Sequence, residues 1–392
     1  MRTKKQTIFV GLSGGVDSSV SATLLKEQGY EVVGVFIRTW HPDFLECNEE
    51  EERRDAMRVA AHLDIPFLTF DFEKVYKREV ADYMIAEYKK GRTPNPDVMC
   101  NKEVKFGVFL KKSLAMGADF VATGHYAQVD AKSVLLNGLA GVGDPENRGP
   151  EKEHSSQRLF KGVDFTKDQS YFLWTLKQKQ LSKILFPIGH LEKSEVRKIA
   201  KKYKLPVAEK KDSQGICFLG DIDLKEFLKH YIKEKKGKVL NEKGEEIGHH
   251  NGVVFHTLGE RHGFIITEKN PNDGRYYVVG KDIKKNILVV SQDKKVLNFS
   301  AFLHPADGTF RSKNSGLFSL ALQEINWISE IPKENKQYTA QIRYHGEFLP
   351  CTIKCGRRGL AQVVFKKSVM VAGGQSCVIY DKDVCLGGGV IV

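Results

Sequence analysis

Up to about residue 125, short apolar runs alternate with stretches whose apolar residues recur every three or four positions. The runs 7–12, 31–37, 66–72 and 119–123 are rich in β-branched and aromatic residues, which predicts strands covered on both faces. Between them, Val16, Val20 and Leu24 keep helical spacing until Gly29, and Ala56, Val59, Ala60 and Leu63 follow i, i+3, i+4, i+7. Strand–helix alternation of this kind predicts an α/β fold with a doubly wound parallel sheet. Periodicity fails over 138–156, where Gly, Pro, Asn and Glu predict an exposed loop. Helical spacing returns over 168–176, and again from Ser194, the expected N-cap, to Tyr203, before Leu205-Pro206 ends it. Near the far end, 339–344 and 351–355 alternate apolar and polar residues, with turn signals at Gly373-Gly374 and Asp381-Lys382. That pattern predicts a small antiparallel barrel or sandwich. Three domains are expected: an α/β domain over 1–210, a small Lys-rich central domain over 211–282, and an antiparallel β-barrel-like domain over 283–392.

Composition adds a partner class. Lys plus Arg number 61 against 49 Asp plus Glu, a net charge of +12 over 392 residues, which favours a polyanion such as nucleic acid. Much of that excess falls in the run 193–211, read as facing phosphate, whereas His249-His250 reads as a solvated loop. No apolar run approaches the roughly 20 residues of a membrane helix, and the N-terminus lacks the shape of a signal peptide, so no membrane association and a cytoplasmic location are expected. Seven scattered cysteines do not suggest a structural disulfide framework. Cys351 and Cys355 fall on one face of a predicted strand, and with Cys377 and Cys385 they are expected in barrel core rather than on a metal.

The first strand runs into Gly11-Leu12-Ser13-Gly14-Gly15-Val16-Asp17-Ser18, which opens the first helix. Two glycines let the backbone close on an anion, and the following amides sit at a helix N-terminus, so this is a phosphate cradle. It has neither the lysine and spacing of a Walker A loop nor a dinucleotide fingerprint. The segment resembles the PP-loop of the ATP pyrophosphatases, which implies adenylation of an acceptor oxygen by ATP.

Two further stretches carry thiols. In 92–106, Pro94 and Pro96 stiffen a loop presenting Asn95, Asp97 and Cys100, and a cysteine near a helix start beside Lys102 and Lys105 is expected to have a depressed pKa. In 209–220, Cys217 follows a polar loop flanked by Lys210 and Lys211, which again favours a thiolate. Two such thiols in one nucleotide-binding protein suggest that one carries sulfur and the other resolves the product.

Together, the PP-loop, Asn95-Pro96-Asp97 with Cys100-Asn101, 122–126, 167–172, 212–217, Arg343-Tyr344, 374–376 and 385–390 resemble the tRNA 2-thiouridylase family. The resemblance implies that Gly11, Leu12, Ser13, Gly14, Gly15, Val16, Asp17, Ser18, Ile37 and Gly124 bind ATP, with Mg2+ accompanying it near Asp17 and no dedicated metal site. It implies Cys217 as persulfide carrier, Cys100 as second nucleophile, a transient Cys100–Cys217 disulfide, and Asp97 as acid or base. Asn95, Pro96, Asp97, His125, Lys167, Asp168, Gln169, Arg343, Tyr344 and Gln375 would face tRNA, with Arg343 and Tyr344 on a strand. The reaction implied is adenylation of the wobble uridine (position 34) at O2, then sulfur transfer from a persulfide supplied by a cysteine desulfurase or sulfur-relay protein. Rival readings are a PP-loop ligase or amidating enzyme using an amine nucleophile, which needs neither cysteine, and a non-catalytic RNA-binding protein that holds ATP.

Overall fold

The computed structural model describes residues 5–45, 48–130, 156–212, 217, 223–268, 273–293, 309–311, 318–356, 359–367 and 369–392. The loop expected over 138–156 lies outside them except for Ser156. Near the N-terminus, β1 (Thr7–Gly11), β2 (Glu31–Arg38), β3 (Phe67–Asp71) and β4 (Phe120–Ala122) pair in parallel in the order β3-β2-β1-β4. Alternation along β1 divides the core: Ile8 and Val10 pack with Val16 and Val20 of α1 (Val16–Glu27) and Val59 of α2 (Glu49–His62). Phe9 faces the other way, among Phe70, Tyr76, Val104 and Phe109. The acidic residues Glu49 to Glu52 occupy the first turn of α2, where the helix dipole favours them.

After β4 the chain leaves this sheet. Two short strands, β5 (Ala127–Val129) and β6 (Leu159–Lys161), pair with each other, and β7 (Ile184–Leu185) then adds to β4 as a fifth parallel strand. The helix expected over 168–176 is only a tight turn at Ser170–Leu173, because the Asp168 carboxylate accepts the Gly162 and Ser170 amides (3.0 Å each) and fixes the preceding chain as a loop. The helix expected from Ser194 spans Lys193–Lys202, and Glu192 caps it, its amide bonded to the Glu195 carboxylate at 2.9 Å.

The central region has a sheet of its own: β8 (Gly237–Leu240), β9 (Glu246–His250), β10 (Phe264–Ile266), β11 (Tyr277–Asp282) and β12 (Ile287–Ser291), in the order β10-β9-β8-β12-β11. Pairing of β12 with both β8 and β11 carries this sheet past the expected boundary at 282. His249-His250 is not a solvated loop; it ends β9, where His250 is buried and its Nδ1 accepts the Gly252 amide at 2.9 Å.

Beyond β13 (Thr309–Arg311), the strands β14 (Phe318–Trp327), β15 (Tyr338–Gln341), β16 (Leu349–Cys355), β17 (Ala361–Phe365), β18 (Ser376–Asp381) and β19 (Val384–Ile391) run β14-β17-β16-β15-β18-β19. β19 pairs back onto β14, which closes a six-stranded antiparallel barrel. Cys351, Ile353, Val363 and Cys377 fill it. Arg343 and Tyr344 are not on a strand: β15 stops at Gln341, and the Gly346 amide bonds the Arg343 carbonyl at 2.8 Å across a turn in which His345 has φ 57°. The hairpin β5–β6 joins the barrel, Phe160 and Leu159 of β6 pairing with Val384 and Cys385 of β19.

Candidate active site

Chain order places a crevice beside β1. β2 and β3 lie to one side of it and β4 to the other, so the loop after β1 sits at a topological switch point, where open α/β sheets bind ligands. There Gly14 has φ 72°, and a Cβ on it would run into the Glu52 carbonyl. The Ser18 hydroxyl accepts the Ser13 amide at 3.2 Å, the Ser19 hydroxyl donates to the Gly15 carbonyl at 2.7 Å, and Val16 begins α1. Gly124, just past β4, abuts this turn: a Cβ there would lie 2.6 Å from the Ser18 nitrogen. The loop from Gly11 to Ser18 and Gly124 therefore share one cradle that side chains would fill. The Ile37 side chain is buried, in the apolar cluster that also holds Phe70 and Phe109.

Asp17 links this cradle to a second chain segment. Its carboxylate accepts the Tyr126 hydroxyl (2.9 Å) and the Lys193 ammonium (2.6 Å), and the same ammonium lies 2.9 Å from Asp212. Asp212 also receives Lys167 (2.7 Å) and Arg197 (2.6 Å). Partial burial pushes the Asp212 carboxyl up, but Lys167 and Lys193 outweigh it and hold it at about 2. Three members of the basic run 193–211 turn inward, Lys193 as above, Lys210 to Asp55 (2.8 Å) and Arg197 to the Ala208 carbonyl (3.0 Å), while Lys198, Lys201, Lys202, Lys204 and Lys211 stay exposed.

The two thiols meet. The Cys100 Sγ donates to the Cys217 Sγ at 3.6 Å, with both thiols free. Cys100 follows the short helix Pro96–Met99, which Asn95 caps by accepting the Val98 amide (3.2 Å) and Pro96 starts. From Cys100 to Phe109 the helix widens to i→i+5 bonding. Asp97 accepts the Cys217 amide at 2.8 Å, and the buried Tyr76 donates its hydroxyl to the Cys217 carbonyl at 2.7 Å. Tyr76 went unpredicted because an aromatic at helical spacing reads as core, which it also is.

The electrostatics divide the pair, contrary to the expectation of two activated thiols. Burial, and then the hydrogen bond to Cys217, push the Cys100 thiol well up. The bond received from Cys100 and the Lys105 ammonium bring Cys217 down despite its own burial. Burial also raises the Asp97 carboxyl, against the pull of the Cys217 amide and Lys105.

The residues expected to face tRNA are placed unevenly. His125 is buried, bonded to the Thr123 hydroxyl (2.7 Å) and set between Phe106 and Phe186, where burial and Lys105 keep it neutral; Asp168 is also buried and fully engaged. Neither offers RNA a free group in this arrangement. Gln169 accepts the Tyr126 amide at 3.1 Å, and Lys167 is taken by Asp212. Asn95, Pro96 and Gln375 lie where the barrel docks: the Thr93 amide bonds the Gly373 carbonyl at 2.8 Å, and Ser376 receives Tyr171 (2.9 Å) and Trp174 (3.0 Å). Tyr344 packs on Phe172 at 4.4 Å, and Arg343 donates to the Leu258 carbonyl at 3.0 Å. Arg343→Ala is accordingly expected to cost about 1–2 kcal/mol of stability, read as a thermal midpoint lower by a few degrees. An unchanged midpoint, with tRNA affinity losing about one counterion of salt dependence, would return this residue to direct phosphate contact.

A doubly wound sheet with a glycine–serine anion cradle at its switch point, and a pair of thiols in contact, defines a PP-loop α/β protein equipped for sulfur chemistry. Residues 6–221 match the tRNA methyl transferase HUP domain, 225–292 the tRNA methyl transferase PRC-barrel domain, and 318–391 the aminomethyltransferase beta-barrel domain. The tRNA-specific 2-thiouridylase MnmA of Streptococcus thermophilus is 42% identical over 392 residues, 99% of this chain and 95% of that one. Those of Methylobacillus flagellatus (42%, 99% of each chain) and Listeria monocytogenes (43%, 98% of this chain and 94% of that one) are similarly close. The chain belongs to the tRNA-specific 2-thiouridylase family.

Proposed function

We propose that this enzyme is an ATP-dependent tRNA sulfurtransferase that makes 2-thiouridine at the wobble position, 34, and that Cys217, Cys100 and Asp97 carry its sulfur chemistry. The observation that carries this is the 3.6 Å contact between the buried Cys100 thiol and the half-buried Cys217, whose amide is held by Asp97. The uridine O2 attacks the α-phosphorus of ATP and pyrophosphate leaves, so that the oxygen later departs as AMP. The cradle of Gly11 to Ser18 with Gly124 would hold the phosphates, its amides facing the charge that develops. Mg2+ would lie with those phosphates near Asp17 and supply Lewis-acid charge neutralisation; among the described residues there is no cluster of three or more His, Cys, Asp or Glu able to hold a metal.

In the second stage the outer sulfur of a Cys217 persulfide bonds to C2 and AMP is released. Cys100, its proton taken up by Asp97, then attacks the Cys217 Sγ. The sulfur–sulfur electron pair goes to the uridine sulfur, and a Cys100–Cys217 disulfide remains for a dithiol to reduce. A cysteine desulfurase or a sulfur-relay protein is the proposed source of the persulfide. The central and C-terminal domains would grip the tRNA. No helix among the described residues is long and apolar enough to cross a membrane, and the cytoplasm is the proposed compartment.

The test is nucleoside mass spectrometry of tRNA incubated with enzyme, ATP, Mg2+, cysteine and a desulfurase. 2-Thiouridine appearing in step with AMP is expected. AMP released with an amine adduct on the RNA, and no dependence on either cysteine, would favour the ligase reading.

A further inference from the structure

The wide turn that follows Cys100 has a geometric consequence for Lys105. In an ordinary α-helix, at 3.6 residues per turn, two residues five apart point about 140° away from each other round the axis. Over Cys100–Phe109 the bonding is i→i+5, which winds more residues into each turn and swings Lys105 back towards the face that carries Cys100. Gly107 permits this: a Cβ there would lie 2.9 Å from the Lys102 carbonyl, five residues back. Both groups then converge on the same atom, for the Lys105 ammonium, like the Cys100 thiol, is hydrogen-bonded to the Cys217 sulfur.

We propose that Lys105 is a catalytic group of the sulfur-transfer site: its ammonium holds the Cys217 sulfur as the anion that first accepts sulfur and then, as a persulfide, delivers it. In the first step the Cys217 thiolate attacks the outer sulfur of a donor persulfide. The new sulfur–sulfur bond forms as the donor's own breaks, and the donor leaves as a thiolate carrying the electron pair. No proton has to be removed from Cys217 at that moment. Among the described residues, the groups facing the Cys217 sulfur and its peptide are Cys100 and Lys105 from the wide turn, Asp97 from the helix before it, and Tyr76 from across the core. Lys105 is the single cation among them. Burial would strip its charge, yet the sulfurs of Cys217 and Cys100 together with Asp97 keep it protonated, so ammonium and thiolate sustain each other. The neighbouring His125 is neutral and does not compete for the anion.

The proposal rests on reading Cys217 as the sulfur carrier, but its test reads the thiolate directly and can fail while that reading stands. Iodoacetamide alkylation of the reduced full-length chain is followed at Cys217 by peptide mass spectrometry as a function of pH. In Lys105→Gln the midpoint of the rate profile is expected to rise by about one to three pH units. Persulfide loading near neutral pH should slow at least about tenfold, with Lys105→Arg restoring most of both. A complementary measurement keeps the lysine: reductive methylation of Lys105 should begin at lower pH in Cys217→Ala than in the unmodified protein, because the coupling between two sites is reciprocal. An unchanged alkylation midpoint in folded Lys105→Gln, or an unchanged Lys105 methylation profile in Cys217→Ala, would overturn the proposal.

Discussion

In Cys217→Ser, tRNA thiolation is expected to fall by about 10⁴-fold or more while the protein stays folded, as found when the nucleophile of a concerted catalytic unit is removed. A hydroxyl cannot carry sulfane sulfur, and the neighbouring Cys100 is a poor substitute because burial keeps its thiol protonated. Folding should survive because the contacts that fix this residue are made by its backbone, the amide to Asp97 and the carbonyl to Tyr76, and serine keeps both. The measurement pairs sulfur-35 loading from a desulfurase with thiolated-nucleoside yield. Label retained at the stoichiometry of the unmodified enzyme would move the carrier role to another residue. Cys100→Ser should behave differently: it loads sulfur normally but cannot resolve the product, so the RNA stays joined to Cys217 through the sulfur–sulfur bond and turnover stalls.

Asp17→Ala should reduce AMP formation by about 10²–10³-fold, the scale of loss when one preorganised stabilising group is removed from a catalytic site. Asp17 joins the first turn of α1 to Tyr126 and, through Lys193, to Asp212. Without it, Lys193 loses one of its two carboxylate partners among the described residues, and the carboxylate proposed to lie near Mg2+ is gone. The scaffold should hold, since the serine hydrogen bonds within the cradle do not involve this side chain. AMP release with bound tRNA, measured beside a thermal melt, is the check. Undiminished AMP formation by a folded variant would remove Asp17 from the adenylation site.

The sequence carried what is local. A parallel sheet announces itself in apolar runs, and the phosphate loop in two glycines between a strand and a helix, so β1 to β4 and Gly11 to Ser18 were legible directly. Cys100 and Cys217 stood out because their neighbours are polar. What depends on distant pairing was not legible. Lys105 is visible as a neighbour of Cys100, but at α-helical spacing it points elsewhere, and nothing in 100–109 spells out the wider turn except Gly107. Lys193 looked like one more member of a basic surface because Asp17 and Asp212, its partners, are remote in sequence. His250 looked solvated because β9 is short and its polar letters hide a buried histidine. At three residues each, β5 and β6 fall below any periodicity threshold, and only β19 gives them a reason to be strands.

That pairing also bears on how the chain matures. During synthesis the α/β domain emerges first, at about 5–20 residues per second, and domains usually fold as they appear. Here the hairpin β5–β6 must wait with an open edge for β19, and the catalytic core waits as well, since Val378, Tyr380 and Cys385 belong to the same apolar cluster as Phe106 and Trp174. A fragment ending before the barrel would therefore present an unpaired strand and a hollow beside the thiols, both of which invite aggregation. Closure of that hollow therefore depends on β18 and β19, the strands farthest along the chain.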